Sequence, residues 1–420
     1  MSNIAQVRAR EILDSRGHPT IETTVVLDSG SYGVASVPTG ISTGKDEAKQ
    51  LRDGDPTRYA GLGVKKAIEK VTTVIARAVS GKEAGQQAQI DKAMLDLDAT
   101  MDKSNLGANS ILSVSIAACK AAARQYRLPL YKYIRALLGR DMNAPFQMPT
   151  PMFNVINGGK HGAGNLDFQE FLVLPGHSIP FVETVEMGAE IYYALLEVLK
   201  HRNAIYSVGD EGGFAPNLFT NADALEVITQ AIMATEYKLG ENVFLGLDVA
   251  ASHFREGNDY IIKDRTTPLS RSDMVGYFQE LIQQYHLLSL EDPIAEDDFD
   301  GWKEITAALG SSTMIVGDDF LVTNMKHLEQ AVAQNAANAI IIKPNQIGTL
   351  TETLQVVYNA QKAKWRIVTS HRSGETNDDF IADFAVGIDS NYAKFGAPAR
   401  GERVAKYNRL LAIAATVEGK

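Results

Sequence analysis

The sequence predicts an α/β protein built from a C-terminal (β/α)8-type barrel and a smaller N-terminal α+β domain. The chain has 420 residues, which is more than one ordinary hydrophobic core accommodates. From residue 243 onward, short apolar runs recur about every 25 positions, the length of one strand, one helix and two loops. Residues 3–37 instead alternate like the strands of a small antiparallel sheet.

The N-terminal domain is predicted to span residues 1–139, and the barrel residues 140–420. The sheet is predicted from the runs AQVRAREIL, TIETTVVL and SYGVASV, with a turn at DSRGHP. Helices are expected over residues 57–79, 86–98, 106–126 and 129–138. The segment GRDMNAPFQMPTP is rich in proline and has no clear period, so it marks the boundary.

Strand-like runs, PMFNVIN and FQEFLVLP, open the barrel before its regular period begins. Helices are expected near residues 180–202 and 220–237. Two later helices are predicted to be capped by Ser272 and Thr323, since their hydroxyl groups can accept the first free N–H groups.

Composition excludes several classes of partner. There are 51 acidic and 41 basic residues, a net charge of −10, which argues against nucleic acid or an anionic membrane as the main partner. The single cysteine, Cys119, cannot form an intrachain disulfide and suits a reducing compartment. No apolar run approaches a membrane span, and the N-terminus has no signal-peptide pattern, so we expect a cytoplasmic location.

Polar residues follow the apolar runs of the barrel. Because barrel strands deliver their C-terminal residues to one mouth, these side chains should converge on one site. They are Asp248, Glu291, Asp318, Lys343, His371, Arg372, Ser373 and Lys394. Carboxylates are typical ligands of a hard cation such as Mg²⁺, and Arg372 with the hydroxyl of Ser373 would clamp an anion such as phosphate.

Each of these residues also has an ordinary structural interpretation. Asp318 could be a turn residue, and Glu291 could simply end a strand. Lys343 could pair with a neighbouring carboxylate; alternatively, burial lowers its pKa and makes it a usable base. A common position at successive strand ends favours the functional interpretation of the set.

Two further segments present glutamates, GDEGG with Glu211 and FQEF with Gln169 and Glu170. A carboxyl pair can assist the loss of a poor leaving group such as hydroxide, although a turn and an ordinary strand would also explain both segments. Two glycine-rich loops, NGGKHGAG with His161 and PTGISTGK with Ser42, could approach a ligand closely or close as a lid.

Over essentially its whole length the sequence resembles the enolases (phosphopyruvate hydratases). The resemblance is carried by ILDSRGHPTIE, VPTGISTGKDEA, LRDGD, KSNLGANSIL, NVINGGKHGAGNLDFQEF, VGDEGGFAPN, LGLDVAAS, LEDPIAEDDFDGW, VGDDFLVTN, IIKPNQIGTLTET, SHRSGET and KFGAPARGERVAKYN. It implies a barrel of the enolase kind and a lyase that reversibly dehydrates 2-phosphoglycerate to phosphoenolpyruvate in glycolysis and gluconeogenesis. It also implies a homodimer or higher homo-oligomer.

The resemblance implies roles for individual residues. Asp248, Glu291 and Asp318 resemble the ligands of a first Mg²⁺. Ser42 resembles the lid serine that meets a second Mg²⁺, bound with the small phosphorylated carboxylate substrate. Lys343 resembles the general base and Glu211 the general acid. The other catalytic or substrate-binding residues implied are Glu170, His161, His371, Gln169, Arg372, Ser373 and Lys394.

Some positions depart from the usual enolase pattern. The lid reads TGIS where SGAS is usual, His18 replaces an asparagine, and Phe395 replaces a small threonine. An enolase-like paralogue acting on a phosphonate or another phosphoglycerate analogue is therefore an alternative. A non-enzymatic alternative is a cell-surface or secreted plasminogen-type binding protein, in which lysine-binding modules capture the terminal Lys420.

The C-terminal helix departs as well. Ala412 and Ala414 replace an arginine and a glutamate that, in the family, commonly pair across the dimer with the equivalents of Glu22 and Arg16. Arg16 and Glu22 are therefore expected to lack their usual partners. Arg409 is the nearest candidate to meet Glu22, and we expect either a weakened dimer or an altered interface. The alternative is a normal dimer that is held by apolar contacts, with these charges solvated at its rim.

Overall fold

The computed structural model describes residues 2–40, 44–162, 164–177 and 179–417. Its N-terminal part contains an antiparallel sheet of three strands, β1 (Ile4–Leu13), β2 (Pro19–Leu27) and β3 (Tyr32–Ser36), with β2 in the centre. Alternate residues of β2 are fully buried, and the sheet packs against a long buried helix. The predicted N-terminal sheet is therefore confirmed.

Five helices follow the sheet: α1 (Lys65–Glu69), α2 (Ala76–Val79), α3 (Gln87–Asp98), α4 (Ala108–Gln125) and α5 (Leu130–Leu137). A π-helical segment, Lys70–Ile75, joins α1 to α2. The helix expected from residue 57 begins only at Lys65, because the Asp53 carboxylate accepts the N–H groups of Lys65 and Lys66. Residues 138–149 form neither helix nor strand, and the boundary at residue 139 stays a prediction.

The rest of the chain forms a nearly closed, mostly parallel barrel. Its strands are β4 (Thr150–Pro151), β5 (Phe153–Asn157), β6 (Glu170–Pro175), β7 (Val243–Asp248), β10 (Leu287–Glu291), β11 (Met314–Gly317), β12 (Ala339–Ile342), β13 (Arg366–Ser370) and β14 (Tyr392–Lys394). A small hairpin, β8 (Arg255–Glu256) and β9 (Asp259–Tyr260), lies outside this sheet. β4 pairs with β14 and β5 with β6, so the two ends of the sheet meet around Met152. The predicted barrel is confirmed, with the difference that β6 is antiparallel to both neighbours.

Helices α6 to α14 accompany the barrel strands. They span Phe181–His201, Asn221–Met233, Arg271–Tyr285, Phe299–Leu309, Met325–Ala333, Pro344–Ile347, Leu350–Lys362, Phe380–Gly387 and Gly401–Val417. Both predicted caps are wrong. Ser270 caps α8 by accepting the N–H of Asp273, and Asn324 caps α10. Within the described ranges, no helix is both long and apolar enough to cross a membrane.

The barrel interior separates an apolar core from a polar mouth. Alternate residues of its strands form one apolar cluster: Met152, Leu172, Leu174, Met314, Val316, Ala339, Ile341, Val368 and Tyr392. Several strands end at this mouth in polar residues that are almost fully buried, namely Asp248, Glu291 and Lys394. The fold therefore places the charged residues at one end of an apolar core.

The charged residues considered for a dimer interface have partners within the chain. Arg409 donates two hydrogen bonds to Asp383, at 2.6 and 2.7 Å. Glu22 accepts one from Arg10 at 2.6 Å, and Arg16 also donates one within the chain. Arg16 and Glu22 thus have partners within the chain, and the expectation that they lack their usual partners across a dimer stays a prediction. The assembly itself stays a prediction.

Candidate active site

The mouth of the barrel holds a small cavity of about 260 Å³. Its lining is His161, Gln169, Glu170, Glu211, Asp248, Lys343, Ser370, His371, Arg372, Ser373 and Lys394. Ten of these are residues singled out from the sequence, and Ser370 is an addition. Glu291 and Asp318 contact the lysines of the cavity. Ser42 lies outside the described residues.

The Lys394 ammonium lies among three carboxylates. Its Nζ is 2.8 Å from both carboxylate oxygens of Glu291, 3.1 Å from Glu170 and 3.2 Å from Asp248. The pairing of β7 with β10 sets Asp248 beside Glu291. Burial would lower the pKa of Lys394, but these carboxylates raise it well above its usual value. The carboxylates thus converge on a position that suits positive charge.

Lys343 forms a close ion pair with Asp318. Burial would lower the pKa of Lys343, but Asp318 outweighs burial and raises it. Burial likewise would raise the pKa of Asp318, which the ammonium of Lys343 and its neighbours lower to about 2. The prediction that burial lowers the pKa of Lys343 is therefore wrong here, and the paired interpretation is the one observed. Gln346 donates to the second oxygen of Asp318 at 2.9 Å.

Asp248, Glu291 and Asp318 offer carboxylate oxygens, the kind of ligand that a hard divalent cation prefers. All three are buried oxygen donors at the ends of neighbouring strands. Burial and the adjacent Asp248 raise the pKa of Glu291 well above its usual value, whereas Lys394 lowers it. A bound cation would add to the positive charge that these carboxylates receive from Lys394.

A second cluster of acidic residues includes Asp318, and it was not identified from the sequence. Oxygens of Asp292, Asp318 and Asp319 lie within 4.8 Å of one another. Asp292, however, already accepts the backbone N–H of Asp318 at 2.9 Å and of Asp319 at 2.8 Å. It therefore positions the segment that carries Asp318. Its only sequence signal is its place directly after Glu291.

His161 bridges two glutamates. Its Nδ1 is 3.2 Å from Glu170 and 3.5 Å from Glu211. Glu211 also accepts from Asn154 at 3.0 Å and lies 3.2 Å from Nε2 of His371. Burial and Glu211 raise the pKa of Glu170 to about 7. The pair can therefore hold one proton near neutral pH, next to the cavity.

The pKa of Glu211 moves the opposite way. Burial would raise it, but His161 and His371 lower it well below its usual value. The two carboxyl groups therefore differ, because the pKa of Glu170 is raised and that of Glu211 is lowered. Both Glu170 and Glu211 lie beside a group that can exchange the proton with them, since His161 contacts each carboxylate.

Arg372 is held by a glutamate that the sequence did not point to. Its Nη1 and Nη2 donate to the two oxygens of Glu47 at 3.0 and 3.1 Å, a bidentate pair. Asn345 accepts a further bond at 3.2 Å. A Cβ atom on Gly40 would lie 2.0 Å from Arg372 Nη2, so only glycine permits this approach of the loop before Ser42. The guanidinium is thus fixed in orientation.

Two family models match the chain. Residues 4–134 match the model described as the enolase N-terminal domain, and residues 145–419 match the enolase C-terminal TIM barrel domain. The chain belongs to the enolase family. It is thus a lyase-type enzyme of that family, a metal-dependent dehydratase of the enolase superfamily, and enolases typically depend on Mg²⁺.

One departure from the enolase pattern lies away from the cavity. Phe395 is fully buried and packs beside Tyr407, with ring centroids 6.0 Å apart. Thr39 exchanges two backbone hydrogen bonds with Gly374, at 2.7 and 2.8 Å, and its hydroxyl donates to Asp14. Phe395 does not line the cavity, whereas Thr39 joins the segment before Ile41 to Gly374 and Asp14. Ile41 lies outside the described residues.

Replacing Asp292 by asparagine is expected to weaken metal binding by about 10- to 100-fold, the usual cost of losing a supporting partner. One of the two backbone N–H groups would lose its acceptor, so the free energy of unfolding should fall by about 1–3 kcal/mol. Calorimetric titration with Mg²⁺ and thermal unfolding measure both effects. The exposed Asp297, replaced by asparagine, is the control. Unchanged affinity in Asp292→Asn would contradict the supporting role.

Proposed function

We propose that this enolase catalyses the Mg²⁺-dependent, reversible dehydration of 2-phosphoglycerate to phosphoenolpyruvate. The observation that carries the proposal is that one cavity is lined by a buried lysine, a carboxyl pair that can hold a proton, and a fixed guanidinium. These are the groups needed to remove a proton next to a carboxylate and to expel hydroxide from the neighbouring carbon.

The cavity suits a small, highly anionic molecule. Lys343, Arg372 and Lys394 line it and supply positive charge. Arg372, with its planar guanidinium, is the natural partner for the phosphate. Gln169 is almost fully buried, and none of the described residues provides a hydrogen-bond partner for its Oε1. That oxygen can accept from a hydroxyl group of the substrate.

We infer that Asp248, Glu291 and Asp318 hold one Mg²⁺, and that Ser42 meets a second one that arrives with the substrate. Bound Mg²⁺ would stabilise the negative charge that develops on the substrate carboxylate when the adjacent proton leaves. Lys394 contributes to the same stabilisation from the protein side. A cation on Asp318 would also compete with Lys343 for that carboxylate, which removes the main cause of the raised pKa of Lys343.

The reaction then divides between two sides of the cavity. Lys343 takes the α-proton of 2-phosphoglycerate, and the electron pair is held on the carboxylate. Glu211, with Glu170 and His161, delivers a proton to the departing hydroxyl group, so that water leaves and the double bond forms. His371 contacts Glu211 and supports it. In the reverse direction the same groups exchange roles.

An absorbance assay for phosphoenolpyruvate tests the proposal. Wild-type protein with 2-phosphoglycerate and Mg²⁺ should form product, and a phosphonate analogue of the substrate should react far more slowly. Faster turnover of the phosphonate than of 2-phosphoglycerate would favour the specialised paralogue and overturn the substrate assignment.

Chelation is expected to abolish this activity. Removing divalent cations with excess EDTA leaves the developing dianion without its principal stabilisation, so product formation should fall to the background rate. Adding Mg²⁺ back should restore it, which separates metal loss from denaturation. Full activity after exhaustive chelation would contradict the assignment of Asp248, Glu291 and Asp318.

Assembly and location complete the proposal. Resemblance to enolases supports a homodimer or a higher homo-oligomer and a place in glycolysis. The single buried cysteine supports a reducing, cytoplasmic compartment.

A further inference from the structure

Arg403 is a fully buried arginine of α14 that joins two loops of the active site. Its Nη1 donates to Nδ1 of His371 at 2.8 Å and to the carbonyl of Arg372 at 2.6 Å. Its Nη2 donates to the carbonyls of Asp210 at 3.0 Å and Ser373 at 2.6 Å. The guanidinium therefore touches the loop of Glu211 and the loop of the anion site at once.

These contacts determine where His371 carries its hydrogen. A guanidinium can only donate, so Nδ1 of His371 must accept and cannot bear a hydrogen. The ring hydrogen is then on Nε2, which lies 3.2 Å from Glu211 and donates to it. The surroundings are built for this contact. A Cβ atom on Gly396 would lie 2.9 Å from the imidazole and 3.0 Å from Arg403, and its φ of +87° suits glycine.

Three charged groups face His371. Glu211 lies at Nε2 and Arg403 lies at Nδ1. The third is Lys394 of β14, and its backbone carbonyl accepts the backbone N–H of His371. Glu211 favours a second proton on the ring, whereas Arg403 and Lys394 oppose it. Burial lowers the pKa of His371 to about 3, so the ring is neutral. Arg403 is the only one of these three groups that occupies Nδ1 itself.

We propose that Arg403 is a positioning residue that keeps hydrogen off Nδ1 of His371, so that the ring stays a neutral donor to Glu211. Its kinetic consequence rests on the proposed function, in which Glu211 protonates the departing hydroxyl group. Glu211 Oε2 then receives hydrogen bonds from Asn154 and His371, which fixes the carboxylate and turns Oε1 toward His161.

Nitrogen NMR of histidine-labelled protein tests the proposal without any substrate. The chain has 8 histidines, and the variant His371→Asn identifies the signals of His371. In wild type, Nε2 should carry the hydrogen and Nδ1 should not, because the two states give well-separated ¹⁵N signals. In Arg403→Met, which has no donor, Nδ1 should carry the ring hydrogen in part of the molecules, because nothing then requires this nitrogen to accept.

Two further variants separate positioning from general stability. Arg403→Lys keeps a cation that can only donate, so Nδ1 should stay free of hydrogen. Lys406, on the same helix, is also fully buried and donates to the carbonyl of Thr376, but has no contact with His371. Lys406→Met should therefore leave the His371 signals as in wild type.

Several results would overturn the proposal. The first is a His371 ring in the wild-type protein that carries its hydrogen on Nδ1. This measurement does not depend on the folding of any variant. An Arg403→Met ring that keeps Nδ1 free of hydrogen would also overturn the proposal, as would a Lys406→Met variant that shifts the His371 signals equally.

Kinetics then link Arg403 to Glu211. Arg403→Met should lower kcat for dehydration about tenfold or more, the usual effect of losing a supporting partner, with a smaller change in KM. Exchange of the α-proton, which depends on Lys343, should be retained, and Arg403→Lys should recover part of the dehydration rate. If wild type itself fails to dehydrate 2-phosphoglycerate, the proposed function is wrong. The NMR measurement uses no substrate, so it still tests whether Arg403 keeps hydrogen off Nδ1 of His371. Equal losses of exchange and dehydration would show that Arg403 does not act through Glu211.

Discussion

Replacing Lys343 by alanine is expected to lower dehydration of 2-phosphoglycerate by about 10³- to 10⁴-fold, the contribution of a positioned general base. Exchange of the α-proton with solvent should fall equally, because both need the same proton transfer. Deuterium uptake at the α-carbon in D₂O, followed by proton NMR, measures exchange, and phosphoenolpyruvate absorbance measures dehydration.

A matched control for this variant is Lys103→Ala. Lys103 is a buried lysine that pairs with Glu352 at 3.0 Å, much as Lys343 pairs with Asp318, and it lies outside the cavity. Removing it should affect stability but leave exchange and dehydration within about a factor of a few of wild type. An Lys343→Ala enzyme that exchanges the proton at the wild-type rate would remove Lys343 from the role of base.

Replacing Asp318 by asparagine is expected to cost more Mg²⁺ affinity than the roughly 10- to 100-fold loss from an outer partner, because a charged ligand itself is lost. Asparagine keeps an oxygen for Gln346, so the backbone should be little disturbed. It leaves the buried ammonium of Lys343 without its counter-charge, and a loss of stability of about 3–5 kcal/mol is also expected. Calorimetric titration and thermal unfolding measure the two effects.

Asp319→Asn serves as the control that distinguishes the two acidic groups. Asp319 belongs to the group with Asp292, whereas the predicted ligands are Asp248, Glu291 and Asp318. If Asp319→Asn loses as much affinity as Asp318→Asn, the metal is held by the second group and the predicted ligand set is wrong.

Periodicity made the convergence of most site residues predictable. Asp248, Glu291 and Lys394 each end a strand, and one barrel mouth brings all strand ends together. Glu170 does not follow this rule, because it begins β6 instead of ending it. β6 runs antiparallel to β7, so its first residue reaches the same mouth. A period along the chain contains no information on that reversal of direction.

Partners between distant segments could not be predicted from local patterns. Glu47 and Arg372 are separated by 325 positions, and no local signal relates them. The same holds for Lys343, whose pKa depends on which carboxylate the fold places beside it. Helix caps failed for a different reason. Ser270 and Ser272 are both acceptable caps by residue type, and only the tertiary position of the helix start chooses between them.

The division of the reaction between Lys343 and Glu211 is tested most directly by the variant Glu211→Gln. Its exchange of the α-proton of 2-phosphoglycerate with D₂O is compared with its formation of phosphoenolpyruvate. Lys343 is intact in this variant, so exchange should persist, while dehydration should fall by about 10²-fold or more because the departing hydroxyl group lacks its proton donor. Loss of exchange in parallel with dehydration, or dehydration at the wild-type rate, would contradict the assignment of the two steps to the two sides of the cavity.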